Sequence, residues 1–138
     1  MLRTFIISLG LLMALGRADA QEAAIKEAPI QQIITAQIEA FRASDFDLAF
    51  TYASPNIQGI FGTPGNFGSM VTTGYPMVIN PAQVEMQDLR TVGGALWQRV
   101  RITDQKGQAY LLDYQMIEGP DGWLINAVQL QKAADVGA

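Results

Sequence analysis

Apolar residues recur every three or four positions through the first half of this chain and every second position after about Val84. That change of period predicts helices first and strands second. Ile30, Ile33, Ile34, Ile38 and Phe41 fall on one side of a helix, with Gln31, Gln32, Thr35, Glu39 and Arg42 on the other. Pro29 suits a first helical turn, so the spacing predicts an amphipathic helix over 29–43. Ser44 followed by Asp47 resembles a capping box with Asp in the Glu or Gln place, and opens a second helix to about Tyr52. Ser54-Pro55 pairs a capping residue with Pro at the first turn and starts a short helix ending near Gly62. Thr63-Pro64 repeats the device for a helix bearing Phe67, Met70 and Val71, which Gly74 stops; Tyr75-Pro76 is expected to be extended.

Alternation over 84–89, 96–103 and 109–118, and less cleanly over 123–130, predicts four strands. Their connections, Val92-Gly93-Gly94, Asp104-Gln105-Lys106-Gly107 and Gly119-Pro120-Asp121-Gly122, are hairpin-length and carry Gly where a positive φ is needed. The strands are therefore expected to be antiparallel neighbours in an α+β plan, with the N-terminal helices packed on one face of a curved sheet. The middle turn also sets register. Asp104 opposite Gln108 pairs Ile102 with Tyr110, Val100 with Leu112 and Gln98 with Tyr114 on a nearly apolar face. Arg101 then meets Leu111, Arg99 meets Asp113 and Trp97 meets Gln115 on a mixed one. A slip of one residue scrambles both faces.

The first twenty residues carry a different message. A basic start at Arg3, an apolar run from Phe5 to Leu15 and a closing Ala18-Asp19-Ala20 are the parts of a secretory signal peptide, with cleavage expected after Ala20. The expected organisation is thus signal peptide 1–20, a flexible mature N-terminus 21–28, one domain over 29–132 and a tail 133–138. The expected location is the periplasm or the outside of the cell. The apolar run falls short of the ~20 residues that span a bilayer, so no stable membrane anchor is expected after cleavage.

Composition narrows the chemistry. The 138-residue chain has 9 basic and 13 acidic residues. Loss of Arg3, Arg17 and Asp19 with the signal leaves 7 and 12, a net charge of −5, which argues against a nucleic-acid partner. Absence of Cys and His removes disulfides, thiol chemistry, His- or Cys-based zinc sites and Ser-His-Asp triads. Asp45 and Asp47 are explained by helix capping, and no calcium-loop spacing occurs. Gly62-Thr63-Pro64-Gly65 lacks the Lys of a phosphate-binding loop. No metal or cofactor is expected.

Three sets of residues remain as candidates. Asp113 with Arg99 reads either as a general base beside an anion-steering arginine or as a cross-strand ion pair on the mixed face. The second reading is favoured, because nothing in the sequence marks that face as concave. Phe61, Met70, Tyr75, Gln98, Tyr110 and Tyr114 either line a greasy pocket between sheet and helices or fill the core. Trp97, Arg99 and Arg101 share the mixed face in a blend typical of a partner or homodimer interface.

Taken in order, Ile38-Glu39-Ala40-Phe41, Asp45, Ala49-Phe50 and Ala53-Ser54-Pro55 resemble the opening of the bacterial family called domain of unknown function 4864. Ile60-Phe61-Gly62-Thr63-Pro64, Phe67, Met70-Val71 and Gly74-Tyr75-Pro76 resemble its middle. The Tyr114 strand and Gly122-Trp123-Leu124-Ile125 resemble its end, so the likeness covers about 29–131. The resemblance implies a nuclear transport factor 2-like fold, in which helices and a strongly curved sheet enclose a conical pocket. It implies no particular activity. The leading expectation is an exported, non-catalytic module binding a small apolar ligand or a protein. The alternatives are a cofactor-free isomerase or dehydratase using a pocket carboxylate, and a structural homodimer subunit.

Overall fold

The computed structural model describes residues 12–131, with side chains from Ile25 onward. Helix α1 (Leu12–Arg42) is followed by α2 (Phe46–Thr51), α3 (Pro55–Phe61), α4 (Pro64–Gly74) and a 3-10 turn (Pro76–Val78). Strands β1 (Gln83–Val92), β2 (Ala95–Thr103), β3 (Ala109–Gly119) and β4 (Gly122–Leu130) form one antiparallel sheet in chain order. This is the α+β architecture the sequence predicts, an open sheet with helices on one side, consistent with a nuclear transport factor 2-like cone. Among the described residues no helix is long and apolar enough to cross a membrane.

Helix α1 does not begin at Pro29. It runs through 21–28, where a flexible segment was expected, and Pro29 lies inside it. Glu22-Ala23-Ala24-Ile25-Lys26-Glu27-Ala28 consists almost wholly of strong helix formers. Proline costs the helix the bond to the carbonyl of Ile25, and Ile25 is 70% exposed, where water can take that bond instead. The expected cleavage point after Ala20 falls within the same helix, and residues 1–11 and 132–138 lie outside the described residues. The buried stripe of α1 is Ile30, Ile34, Gln37, Ile38 and Phe41, at helical spacing.

Asp45, not Ser44, caps α2: its side chain accepts from the Leu48 amide. Ser44 instead adopts φ 56°, ending the α1 turn in the left-handed region. The next two caps are as expected, Ser54 accepting from the Ile57 amide and Thr63 from the Asn66 amide. After Tyr75 the chain coils into the 3-10 turn and does not extend.

The predicted register of the middle hairpin is observed pair for pair, from Gln98–Tyr114 through Ile102–Tyr110 on one face and Trp97–Gln115 through Arg101–Leu111 on the other. Gly93 and Gly94 take φ of 58° and 81°, the paired positive angles a two-residue turn needs between right-twisted strands. Two irregularities bend the sheet, one in β1 between Met86 and Leu89 and one where Gln115–Met116 of β3 pass Ala127–Ile125 of β4.

A short parallel bridge joins helices to sheet. The Ser54 amide donates to the Ile125 carbonyl at 2.9 Å, and the Ile125 amide donates to the Tyr52 carbonyl at 2.9 Å. The Ser54 hydroxyl, fully buried, donates to Asn126 Oδ1 at 2.8 Å, and Asn126 Nδ2 donates to Gln115 Oε1 at 2.8 Å. Asn126 is the extra residue of the β4 irregularity. The bulge thus turns a side chain toward the helices at the point where the α2–α3 connection crosses the strand.

Phe67 of α4 stands at the centre of the roof, with ring centroids of Phe50, Phe61 and Phe41 at 5.3, 5.9 and 6.1 Å. Each such pair contributes about 0.5–1.5 kcal/mol beyond its buried area. One residue further on, Gly68 lets α4 press against α2, since a Cβ there would meet the Phe46 ring at 2.7 Å. Gly68→Ala is expected to lower unfolding stability by about 1–3 kcal/mol through overpacking. Chemical denaturation measures this, and a neutral substitution would mean that the two helices part without cost.

Candidate functional site

Between the roof and β3–β4 lies a cavity of about 280 Å³. Phe41, Phe67, Val71 and Ile125 are buried walls, and Ile57, Phe61, Met70 and Tyr75 are half-buried at its rim. The void follows from how each element reaches the sheet. The parallel bridge fixes the α2–α3 connection against β4, α1 comes close to β4, and the 3-10 turn comes close to β2. The helices approach β4 more closely than β3, so long side chains fill the space over β3, and they leave part of it empty.

Polar groups in the walls are few. The Tyr75 hydroxyl donates to the Val128 carbonyl at 2.9 Å. Gln37 is buried, and its Nε2 donates to the Ala49 carbonyl at 3.2 Å, which fixes Oε1 as the amide atom left over. Tyr114 is 1% exposed, and its hydroxyl has no hydrogen-bond partner among the described residues. Burial, with a smaller contribution from nearby Tyr75, pushes the Tyr114 phenol well above the usual tyrosine value, so it stays a neutral donor. Among the described residues Gln98 Oε1 is the sole fully shielded side-chain polar atom without a partner. Tyr114 and Gln37 both line the cavity, which is the open space where Oη and Oε1 can meet a partner.

Of the six residues expected to line a pocket, Phe61, Met70, Tyr75 and Tyr114 come together here. Gln98 and Tyr110 do not. Gln98 is buried deeper under β1, where its Nε2 donates to the Gln87 and Arg99 carbonyls at 2.8 and 2.9 Å. The β1 irregularity frees the Gln87 carbonyl for that bond. Tyr110 shares the inner face with Tyr114 but lies four residues, ~13 Å, away along the strand. Its hydroxyl faces Asp104 Oδ2 at 3.5 Å, at the hairpin end of the sheet. Gln37 is the functional candidate that periodicity passed over, although its place on the α1 stripe beside Ile34, Ile38 and Phe41 would have shown it.

The opposite face of the sheet carries the charges. Asp113 points away from the cavity, as its pairing with Arg99 requires, but it is far from exposed: the residue is 3% accessible. Arg99 binds it in a fork, Nε to Oδ1 and Nη2 to Oδ2, both at 2.9 Å. Arg90 Nη2 and Gln131 Nε2 each reach Oδ2 at 3.1 Å. The expected weak surface pair is thus a saturated, sheltered cluster, because three long side chains from β1, β2 and the end of β4 close over one short one. The hydrogen bond to Asp113 raises the Arg99 pKa still further above neutrality. Trp97 and Arg101 lie half-buried on this same face, with Arg101 bound to Glu85 at 3.3 Å. Among the described residues no cluster of acidic side chains is arranged to hold a metal ion.

Fold and site together define a small α+β protein whose helices roof a partly hollow, mostly apolar space over one face of an antiparallel sheet. The chain belongs to the family described as Domain of unknown function (DUF4864), whose model matches residues 23–138. No curated protein and no solved structure matches the chain.

Two outcomes test the geometry. Asp113→Ala leaves two arginines converging on nothing and is expected to cost about 3 kcal/mol, whereas Arg101→Ala at the half-exposed pair costs under about 1 kcal/mol. Urea unfolding of both variants checks the contrast, and equal small losses would place the Asp113 cluster in solvent. The raised Tyr114 pKa also has a pH signature. Its folded value lies above the unfolded 10.0, so its stabilisation is complete below pH 10 and declines as pH rises past that value. Unfolding measured above pH 10 is expected to show a steeper alkaline loss in the native chain than in Tyr114→Phe. Parallel curves would mean that Tyr114 is hydrated.

Proposed function

We propose that this protein is an exported binding module without catalytic activity, taking a small apolar ligand into the cavity beneath Phe67. The single observation that carries the reading is the cavity itself: about 280 Å³ walled by aromatic and aliphatic side chains of the hydrophobic core. Interiors rarely keep such a void, because unfilled walls forfeit contacts at every atom. The signal-like N-terminus supports an exported location, and the nuclear transport factor 2-like arrangement of helices over a bent sheet supports a pocket in this position. Catalysis by a pocket carboxylate is the less favoured reading. Asp113, its best candidate base, has every oxygen engaged on the far face, and among the described residues no acidic side chain lines the cavity.

Naphthalene is a suitable first probe. An engineered cavity of about 150 Å³ holds benzene, so roughly twice that volume suits two rings. Naphthalene is expected to bind saturably in ligand-observed magnetic resonance. Ile57→Trp, which puts an indole at the rim, is expected to weaken it about tenfold, equivalent to ~1.4 kcal/mol. Absence of saturable binding, or binding indifferent to Ile57→Trp, would overturn the proposal.

A further inference from the structure

The cavity is apolar but not featureless, and its two unsatisfied groups select a chemistry. Among the described residues Tyr114 Oη has no acceptor and Gln37 Oε1 no donor. Both are held in place. Tyr114 sits in β3 opposite Gln98 and Val128, and the Gln37 amide is oriented by its bond to the Ala49 carbonyl. A wholly apolar ligand would cover both groups and leave them unpaired, which cancels much of what its burial contributes. A charged ligand fares worse. Among the described residues no Lys, Arg, Asp or Glu lines the cavity, so a carboxylate, phosphate or ammonium group would enter without a counter-charge from them. Tyr75 adds no ionic partner, since its hydroxyl is committed to the Val128 carbonyl.

Building on the binding reading above, we infer that the ligand is a neutral, hydroxyl-bearing hydrophobic molecule of about two-ring size, whose oxygen accepts from Tyr114 and whose O–H donates to Gln37. A hydroxyl is the simplest group that both accepts and donates, and so can serve either partner. The aromatic side of the roof, Phe41, Phe61 and Phe67, supplies the faces against which a ring packs. The phenol of Tyr114 stays protonated across the physiological range, so recognition by donation does not switch with pH. In water-filled form the same two groups are satisfied by solvent. The ligand's hydroxyl replaces that water, and its hydrocarbon part displaces the rest.

The experiment compares 2-naphthol, naphthalene and 2-naphthoate on the full chain at pH 7, by ligand-observed magnetic resonance with mutual competition. The expected order is 2-naphthol about tenfold tighter than naphthalene, with 2-naphthoate weaker than both. Tyr114→Phe is expected to bring 2-naphthol and naphthalene to similar affinities, weakening the first and tightening the second. Equal affinities of 2-naphthol and naphthalene, or preferred binding of 2-naphthoate, would overturn this inference while the apolar cavity reading stands. Failure of all three probes would overturn both. The comparison on the unsubstituted chain decides the matter even if Tyr114→Phe does not fold.

Discussion

The seam between Tyr52–Ser54 and Ile125–Asn126 is the constraint on which the rest of this structure depends. Two backbone hydrogen bonds of 2.9 Å splice the α2–α3 connection alongside β4 as a parallel bridge, and a buried serine locks it sideways to Asn126. Ser54 serves both sides at once, since the oxygen that donates to Asn126 also accepts from the Ile57 amide to start α3. A helix pair anchored in this way cannot settle further onto the strands. The roof is therefore held at a height set by hydrogen bonds, and side chains have to fill whatever space remains. Hydrogen bonds are directional and short-ranged; apolar contacts would have allowed closer collapse.

The sheet then sorts chemistry between its faces. Because successive residues of β3 alternate, Tyr114 and Leu112 turn toward the roof, and Asp113 turns to the other side with Arg99, Arg90 and Gln131. Charge and cavity are separated by one layer of backbone. Among the described residues that separation leaves no acidic side chain on the cavity walls. The one carboxylate whose setting could have made it a base is satisfied from three directions, and the groups left free at the cavity are a neutral phenol and a neutral amide oxygen. Membership of DUF4864 fixes the family and leaves the activity to the chemistry of the site.

The strands and their register were legible because they are local: Gly93-Gly94, Asp104–Gly107 and Gly119–Gly122 set each hairpin, and period two does the rest. The helix caps at Ser54 and Thr63 were legible for the same reason. The start of α1 was not, since proline at the first turn and proline well inside a helix give the same local pattern. The shelter of Asp113 depends on Arg90 and Gln131, which lie 23 and 18 residues from it in sequence and reach it only through sheet order. Four of the six expected pocket residues converge, since Phe61, Met70 and Tyr75 follow from the helix order and Tyr114 from the register. Gln98 and Tyr110 shared a face with Tyr114 but not a place along it.

Xenon derivatisation of crystals under pressure tests most directly whether the seam holds a hollow open over β3. Xenon enters the apolar parts of cavities and reports them as discrete density. The account predicts an occupied site among Phe41, Phe67, Tyr114 and Ile125, with the Ser54–Asn126 contact intact. Side chains collapsed into that space, with no xenon between roof and sheet, would contradict it.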